Sequence, residues 1–263
     1  MKNVGVNLFS LRTLIATEEG LTSTLLALGE MGYNCAQYSG APFRPDVIKR
    51  ASEMSGIPIV LTHVPLAEII GHTEALMEEH ASFGCKRIGL GSFPREVLLN
   101  ERETKSTIEE LAKASEVMKK AGFSLFFHNH HTDCYRHSGV TVLDYMIDNC
   151  PDISFTLDTY WLQFGGLSVK DYIKKLSGRI DCVHLKDYKM VANTTEDGKI
   201  EFKPTFAPVG EGNLDFAGYY PLMRESGVKY YLVEQDNAVS FPDPLDEVRR
   251  SVEYIRRNFQ WMR

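Results

Sequence analysis

The chain has 263 residues, with 29 lysines and arginines against 35 aspartates and glutamates, for a formal charge of −6. Hydrophobic residues make up 43% and charged residues 24%, which excludes a disordered or fibrous protein. The acidic balance argues against a nucleic-acid partner, which needs clustered lysine and arginine, and five widely spaced cysteines without a CxxC argue against a disulfide framework or zinc knuckle.

The chain opens on Met1-Lys2-Asn3-Val4-Gly5-Val6, which lacks the long apolar segment and cleavage site of a secretion signal. No stretch approaches the roughly 18 apolar residues of a membrane span. A cytoplasmic protein with reduced thiols and no membrane partner is expected. Short apolar runs then alternate with stretches of helical period. The runs that read as strands are 3–9, 34–38, 57–63, 87–91, 124–129, 153–158, 180–185 and 229–235. They are rich in Val, Ile, Leu and Phe, as in strands covered on both faces. Between them, Ile108, Leu111, Ala112, Ser115 and Met118 share one stripe of 104–121. Val169, Tyr172, Ile173 and Leu176 mark a helix over 168–177, and Leu245, Val248, Val252, Ile255 and Phe259 another over 244–259. Gly32, Gly56, Gly84, Gly122, Gly178 and Gly227 stand where helical patterns stop ahead of a strand.

Eight strand–helix units in a chain of this length predict an α/β fold, a single (β/α)8 TIM barrel domain over residues 1–263. A doubly wound sheet is disfavoured because no G-x-G-x-x-G is present. Residues 188–212 stretch the last unit. Asp197-Gly198 inside them predicts a hairpin or long loop after strand 7.

Such barrels build their sites at the C-terminal ends of the strands. There strand 5 ends in Phe127-His128-Asn129-His130-His131, strand 6 in Leu157-Asp158-Thr159, strand 7 in His184-Leu185-Lys186-Asp187 and strand 8 in Glu234-Gln235-Asp236. His, Asp, His and Glu from successive strands make a nitrogen and oxygen ligand set for a divalent metal. His128 and His130 share a face of strand 5, so either can supply its ligand. Asn7, Gln37 and His63, with Ser10 and Tyr38, are candidate contacts for substrate hydroxyls after strands 1 to 3. Trp161, after strand 6, is either a stacking surface for a sugar ring or a core aromatic. Pro208-Val209-Gly210-Glu211-Gly212-Asn213 predicts a tight turn near the site, with Glu211 as a substrate contact, or simply a helix entry capped by Asn213.

Phe127-His128-Asn129-His130, Leu157-Asp158-Thr159-Tyr160-Trp161, Val183-His184-Leu185-Lys186-Asp187, Val209-Gly210-Glu211-Gly212-Asn213-Leu214-Asp215 and Val233-Glu234-Gln235-Asp236 occur in an order that resembles the xylose isomerase-like TIM barrel superfamily. Within it the chain is similar to the sugar phosphate isomerase/epimerase group, over essentially its whole length. The resemblance implies a divalent metal, Mn, Zn, Co, Mg or Fe, held by His128, Asp158, His184 and Glu234. His128 stands where the family usually has a glutamate, with His130 as the alternative. Ketose epimerases of the family work with two ligand glutamates, one on each face of the substrate. Only Glu234 is retained here, so its partner would be His128, His130, Lys186 or Asp133.

The leading expectation is a metal-dependent isomerase or epimerase of a small sugar or sugar phosphate. Glu234 would take the proton next to a carbonyl through a metal-stabilised enediolate, with His130 and Lys186 as further catalytic candidates. The alternative is a metal-dependent dehydratase or lyase on a keto-cyclitol or 3-keto-glycoside. A non-catalytic sugar-binding barrel is the third reading. The superfamily's apurinic endonuclease branch is disfavoured by charge and by missing ligands. The sequence is compatible with a homo-oligomer.

Overall fold

Each strand of a parallel barrel must bury both faces, and the apolar runs do so. In a computed structural model, which describes residues 3–259, they form eight parallel strands. These are β1 (Val4–Asn7), β2 (Cys35–Tyr38), β3 (Ile59–Val64), β4 (Arg87–Leu90), β5 (Ser124–His128), β6 (Ser154–Asp158), β7 (Cys182–Leu185) and β8 (Tyr230–Val233). They close in the order β1-β8-β7-β6-β5-β4-β3-β2, the expected (β/α)8 barrel. Residues 1–2, which begin the segment read for a secretion signal, and 260–263 lie outside the described residues.

Several strands are shorter than their sequence patterns, and side chains explain why. Asn7 ends β1 because its Oδ1 accepts the Phe9 N–H and starts a 3-10 turn, Leu8–Leu11. The helix predicted over 104–121 runs Glu101–Lys120, because Asn100 caps the N–H groups of Arg102 and Glu103. The other two predicted helices are Val169–Lys175, capped by Ser168, and Pro244–Asn258, capped by Asp243. Gly32 and Gly56 close their helices at φ 90° and 70°, where a Cβ would be strained. All five cysteines are free. No helix among the described residues is long and apolar enough to cross a membrane.

The predicted hairpin follows β7. Asp187–Thr194 pairs antiparallel with Ile200–Ala207, around a turn that contains Gly198 at φ 79°. Its base stands over the barrel mouth, where Tyr188 and Phe206 pack edge-on against Tyr160.

The period of two along a strand stacks the barrel interior in layers. Cys35, Leu61, Phe126, Cys182 and Leu232 form a small apolar cluster of their own. Two residues further along the same strands or just beyond them stand Gln37, His63, His128, His184 and Glu234. The site therefore rests on an apolar floor and opens toward the C-terminal mouth of the barrel. Register completes the placement: Asp158 pairs directly with His184 across β6 and β7.

Candidate active site

His128, Asp158, His184 and Glu234 each present one ligand atom, all within 4.8 Å of one another and all buried. These are the four residues expected to hold a metal, with His128 rather than His130 as the strand 5 member. Their tautomers follow from their hydrogen bonds. His128 Nδ1 lies 3.0 Å from the Gly91 carbonyl, which can only accept, so Nε2 carries the free lone pair. His184 Nε2 lies 2.7 Å from Gln37 Oε1 and donates to it, which turns Nδ1 toward the cluster. Nδ1 is 2.7 Å from Glu234 Oε2 and 3.0 Å from His128 Nε2.

Lone pairs and carboxylate oxygens so close repel unless a proton or a cation sits among them. Glu234 Oε1 accepts from Asn7 Nδ2 at 2.7 Å, while Oε2 is turned toward His184 Nδ1 and Lys186 Nζ. Asp158 is divided similarly. Its Oδ1 caps the Thr159–Phe164 helix by accepting the Trp161 N–H, and its Oδ2 lies 3.4 Å from His128 Nε2. Outer groups thus occupy one end of each donor and leave the other free, as in protein metal sites. The donor set fits a divalent cation.

The charges agree. Burial opposes protonation of His184, yet the nearby Glu234 and Asp158 carboxylates push its pKa up to about 9. That proton occupies the place a cation would take. Burial and neighbouring His184 hold His128 below the usual histidine range. Burial would raise Asp158, but Lys186 and His128 bring it down to about 2, so it is ionised.

Lys186 is buried beside this cluster. Its Nζ lies 2.7 Å from Asp236 Oδ1 and 3.4 Å from Glu234 Oε2. Burial alone would discharge it, but Glu234, Asp158 and Asp236 hold it above the usual lysine range. Trp161 and Phe206 place their rings 4.9 and 5.0 Å from the ammonium. Burial and the Glu234 charge raise Asp236 to about 6, against the pull of Lys186.

A chamber of about 330 Å3 opens above these groups, lined by Asn7, His63, His128, His130, Lys186, Glu234 and Asp236 among others. His130 extends from the end of β5, with its ring 4.5 Å from that of His128. Burial and the charges of His128 and Lys186 keep it unprotonated. His63 is likewise held well below the usual range, first by burial and then by His128 and His184.

Three expected substrate contacts lie elsewhere. Gln37 is fully buried and spends both ends of its amide on His184 and His63, the latter at 2.8 Å. Its place is behind a ligand, and it does not line the chamber. Trp161 is half-buried beneath the hairpin and packs on Lys186, His130 and Phe206. Glu211 points outward to Arg250, 2.5 Å away, because its turn is drawn in by its backbone instead. The N–H groups of Gly210, Gly212 and Leu214 all donate to the buried Asp187 carboxylate. Asp187 and Asp236 stand in the strand-end runs read from the sequence, but that reading gave neither a role of its own. Ser39, which the sequence reading missed, donates to Asn7 Oδ1 at 2.5 Å.

The sequence matches the family model of xylose isomerase-like TIM barrels over residues 27–258. It is similar to an inosose dehydratase from Clostridium perfringens, 27% identical over 252 residues that cover 80% of each chain. An inosose dehydratase from Geobacillus thermodenitrificans is 24% identical and spans 91% of this chain and 89% of its own. In fold the chain is similar to a sugar phosphate isomerase/epimerase from Parabacteroides distasonis, with a TM-score of 0.77 at 20% identity, covering 97% of this chain and 93% of that one.

Proposed function

Because the chain belongs to the xylose isomerase-like TIM barrel family, we propose that it is a metal-dependent dehydratase or lyase. Its substrate is a cyclic polyhydroxy ketone, either a keto-cyclitol or a 3-keto-glycoside. One observation carries this reading. The groups able to exchange protons, Lys186, Glu234 and Asp236, come from β7, β8 and their exits, on one side of the chamber. The facing wall presents the imidazoles of His63, His128 and His130 and no second carboxylate. Epimerisation needs proton transfer on both faces of a carbon. A syn elimination needs it on only one.

His128, Asp158, His184 and Glu234 would hold the cation, and two imidazoles favour Mn, Fe, Co or Zn over Mg. When bound, it polarises a carbonyl oxygen of the substrate. The chain supplies the proton traffic. Glu234 takes the proton next to the carbonyl. That removes one of the negative charges beside Lys186, the one that does most to keep its ammonium charged. Lys186 then gives a proton to the departing oxygen more readily. The proton on Glu234 returns to Lys186 across the 3.4 Å gap and restores both groups. His130, neutral and facing the chamber, accepts a substrate hydroxyl, and Asn7 holds Glu234 in place.

The similarity to inosose dehydratases supports elimination over isomerisation. The test is incubation of the Mn-loaded protein with 2-keto-myo-inositol and with 3-keto-glucosides. Loss of water or of an alcohol, read by mass spectrometry, is expected. Conversion to an isomer of unchanged mass would instead restore the isomerase/epimerase reading.

A further inference from the structure

The hairpin after β7 has one apolar side. Its register pairs Tyr188 with Phe206, Met190 with Pro204, Ala192 with Phe202 and Thr194 with Ile200. These pairs alternate with Lys189–Thr205, Val191–Lys203 and Asn193–Glu201, which share the polar side. Tyr188 and Phe206 bury their part of the apolar side against Tyr160 at the barrel mouth. Beyond them that side is open. Met190, Phe202 and Ile200 are 46, 67 and 68% exposed. Phe164, stacked on Tyr160 and also exposed, carries the same strip onto the barrel rim.

A two-stranded ribbon is marginal by itself and is stabilised by further strands or by packing. The two edges of this one differ. The second strand carries Pro204, which has no N–H to offer a neighbour. Its base is held by Asn237, whose Nδ2 lies 3.3 Å from Thr205 Oγ1 and 3.4 Å from the Phe206 carbonyl. The first strand passes beside the Thr159–Phe164 helix. It has no proline and, past Asp187, a single charged side chain, Lys189. Among the described residues its outer edge pairs with no other strand.

Charge restricts what can cover this surface. Past Asp187, Lys189, Lys199 and Lys203 balance Glu196, Asp197 and Glu201. Lys199 pairs with Asp197 and Lys203 with Glu201, each at 2.7 Å. A nucleic acid or an anionic membrane meets no excess of positive charge there, on a chain that carries −6. A second copy presents the same balanced charge and the same apolar side.

We infer that the hairpin joins two copies of this chain, by antiparallel pairing of their Asp187–Thr194 strands about a two-fold axis. Such a contact is isologous and closes at two. Centred on Val191, the pairing sets Lys189 opposite Asn193 of the partner subunit, so no like charges face each other. The two hairpins become one four-stranded sheet. Antiparallel strands bring each tip beside the base of the other hairpin, on the side of the Thr159–Phe164 helix. The axis crosses the sheet, so both apolar sides stay toward the barrels. Ile200 and Phe202 of each copy then cover the exposed Phe164 rim of the other. The outer hairpin with this rim supplies most of the roughly 20 residues a side of a standard interface.

The test is light scattering on the purified full chain at micromolar concentration, which should give twice the 29.8 kDa of one chain. Met190→Lys and Phe202→Glu change exposed positions and should leave the circular dichroism unaltered. Each should halve the mass. Amide hydrogen exchange over residues 189–194 should be at least about tenfold slower in the wild type than in either variant, because the edge N–H groups are bonded only in the pair. A wild-type protein of single-chain mass overturns the proposal, and its co-sedimentation with phosphatidylcholine vesicles would give the face to a membrane instead. A dimer that persists in either variant, or whose 189–194 amides exchange as fast as those of the variants, is joined elsewhere and overturns it as well.

Discussion

Gln37 Oε1 accepts from His184 Nε2 at 2.7 Å, across 147 residues of chain, and so aims His184 Nδ1 at Glu234. The same amide donates from Nε2 to His63. Without it the His184 ring would be free to turn, and its buried Nε2–H would lose its acceptor. Gln37→Leu should weaken Mn binding about 10- to 100-fold, the usual effect of losing an outer hydrogen bond to a metal-ligating histidine. Gln37→Glu keeps the acceptor and should recover most of the affinity. Competition against a fluorescent chelator reads both, and unchanged affinity in the leucine variant would place Gln37 outside the site.

Lys186→Met removes the cation that lies 2.7 Å from Asp236 and 3.4 Å from Glu234. Methionine fills much of the space between Trp161 and Phe206. Activity should fall at least about 100-fold, the scale of a general acid, with the loss mainly in kcat. Breaking a buried ion pair can cost about 3–5 kcal/mol. Asp236, already near pKa 6, can offset part of that by taking up a proton. Turnover within tenfold of wild type would exclude Lys186 as the acid.

The barrel itself was legible in the sequence because its interior repeats a two-residue rule. Phe126 precedes His128, Cys182 precedes His184 and Leu232 precedes Glu234, so an apolar layer predicts a polar one above it. Three of the four ligands follow that rule, while Asp158, two residues after the buried Thr156, was legible only as a carboxylate at a strand end. The roles of Gln37 and Asp187 do not follow from it. Gln37 obeys the same period but is directed by His63 and His184, residues distant in the chain. Asp187 sits beside Lys186 in a run that reads as one site, yet the chain turns into the hairpin there and carries the carboxylate to the 208–214 turn. Trp161 illustrates the same limit. Its position after β6 suggests a sugar platform, but the hairpin, whose packing has no local sequence signature, covers it.

Asp187 accepts four backbone N–H groups, from Tyr188, Gly210, Gly212 and Leu214, at 2.8 to 3.1 Å. A carboxylate suits this arrangement because both its oxygens accept. In Asp187→Asn one oxygen becomes an NH2 that points at N–H donors. Each buried donor left unpaired costs about 1–3 kcal/mol. The variant should unfold at lower urea concentration and be cleaved faster by protease between Ala207 and Leu214. Gly212→Ala should act similarly, since its Cβ would stand 2.3 Å from Asp187 Oδ1. Wild-type urea midpoints in both would show that the turn holds without this carboxylate.

Asp133 is fully buried, accepts the His130 N–H at 2.6 Å through Oδ2, and leaves Oδ1 without a partner. Burial raises its pKa to about 7, against the lowering by the His130 N–H. In the unfolded chain an aspartate titrates near 3.9. The folded state thus holds this proton more tightly than the unfolded state. Its contribution to stability is complete below about pH 4 and is lost as the pH rises through 7. Asp133→Asn preserves an oxygen acceptor for the His130 N–H and has no charge to bury. Its stability relative to wild type should therefore increase between pH 4 and 7 and level off above that, by a few kcal/mol at most. Thermal melts from pH 4 to 8 measure the difference. A constant offset between the two proteins across that range would show that Asp133 is ionised in the fold throughout, with an unseen partner for Oδ1.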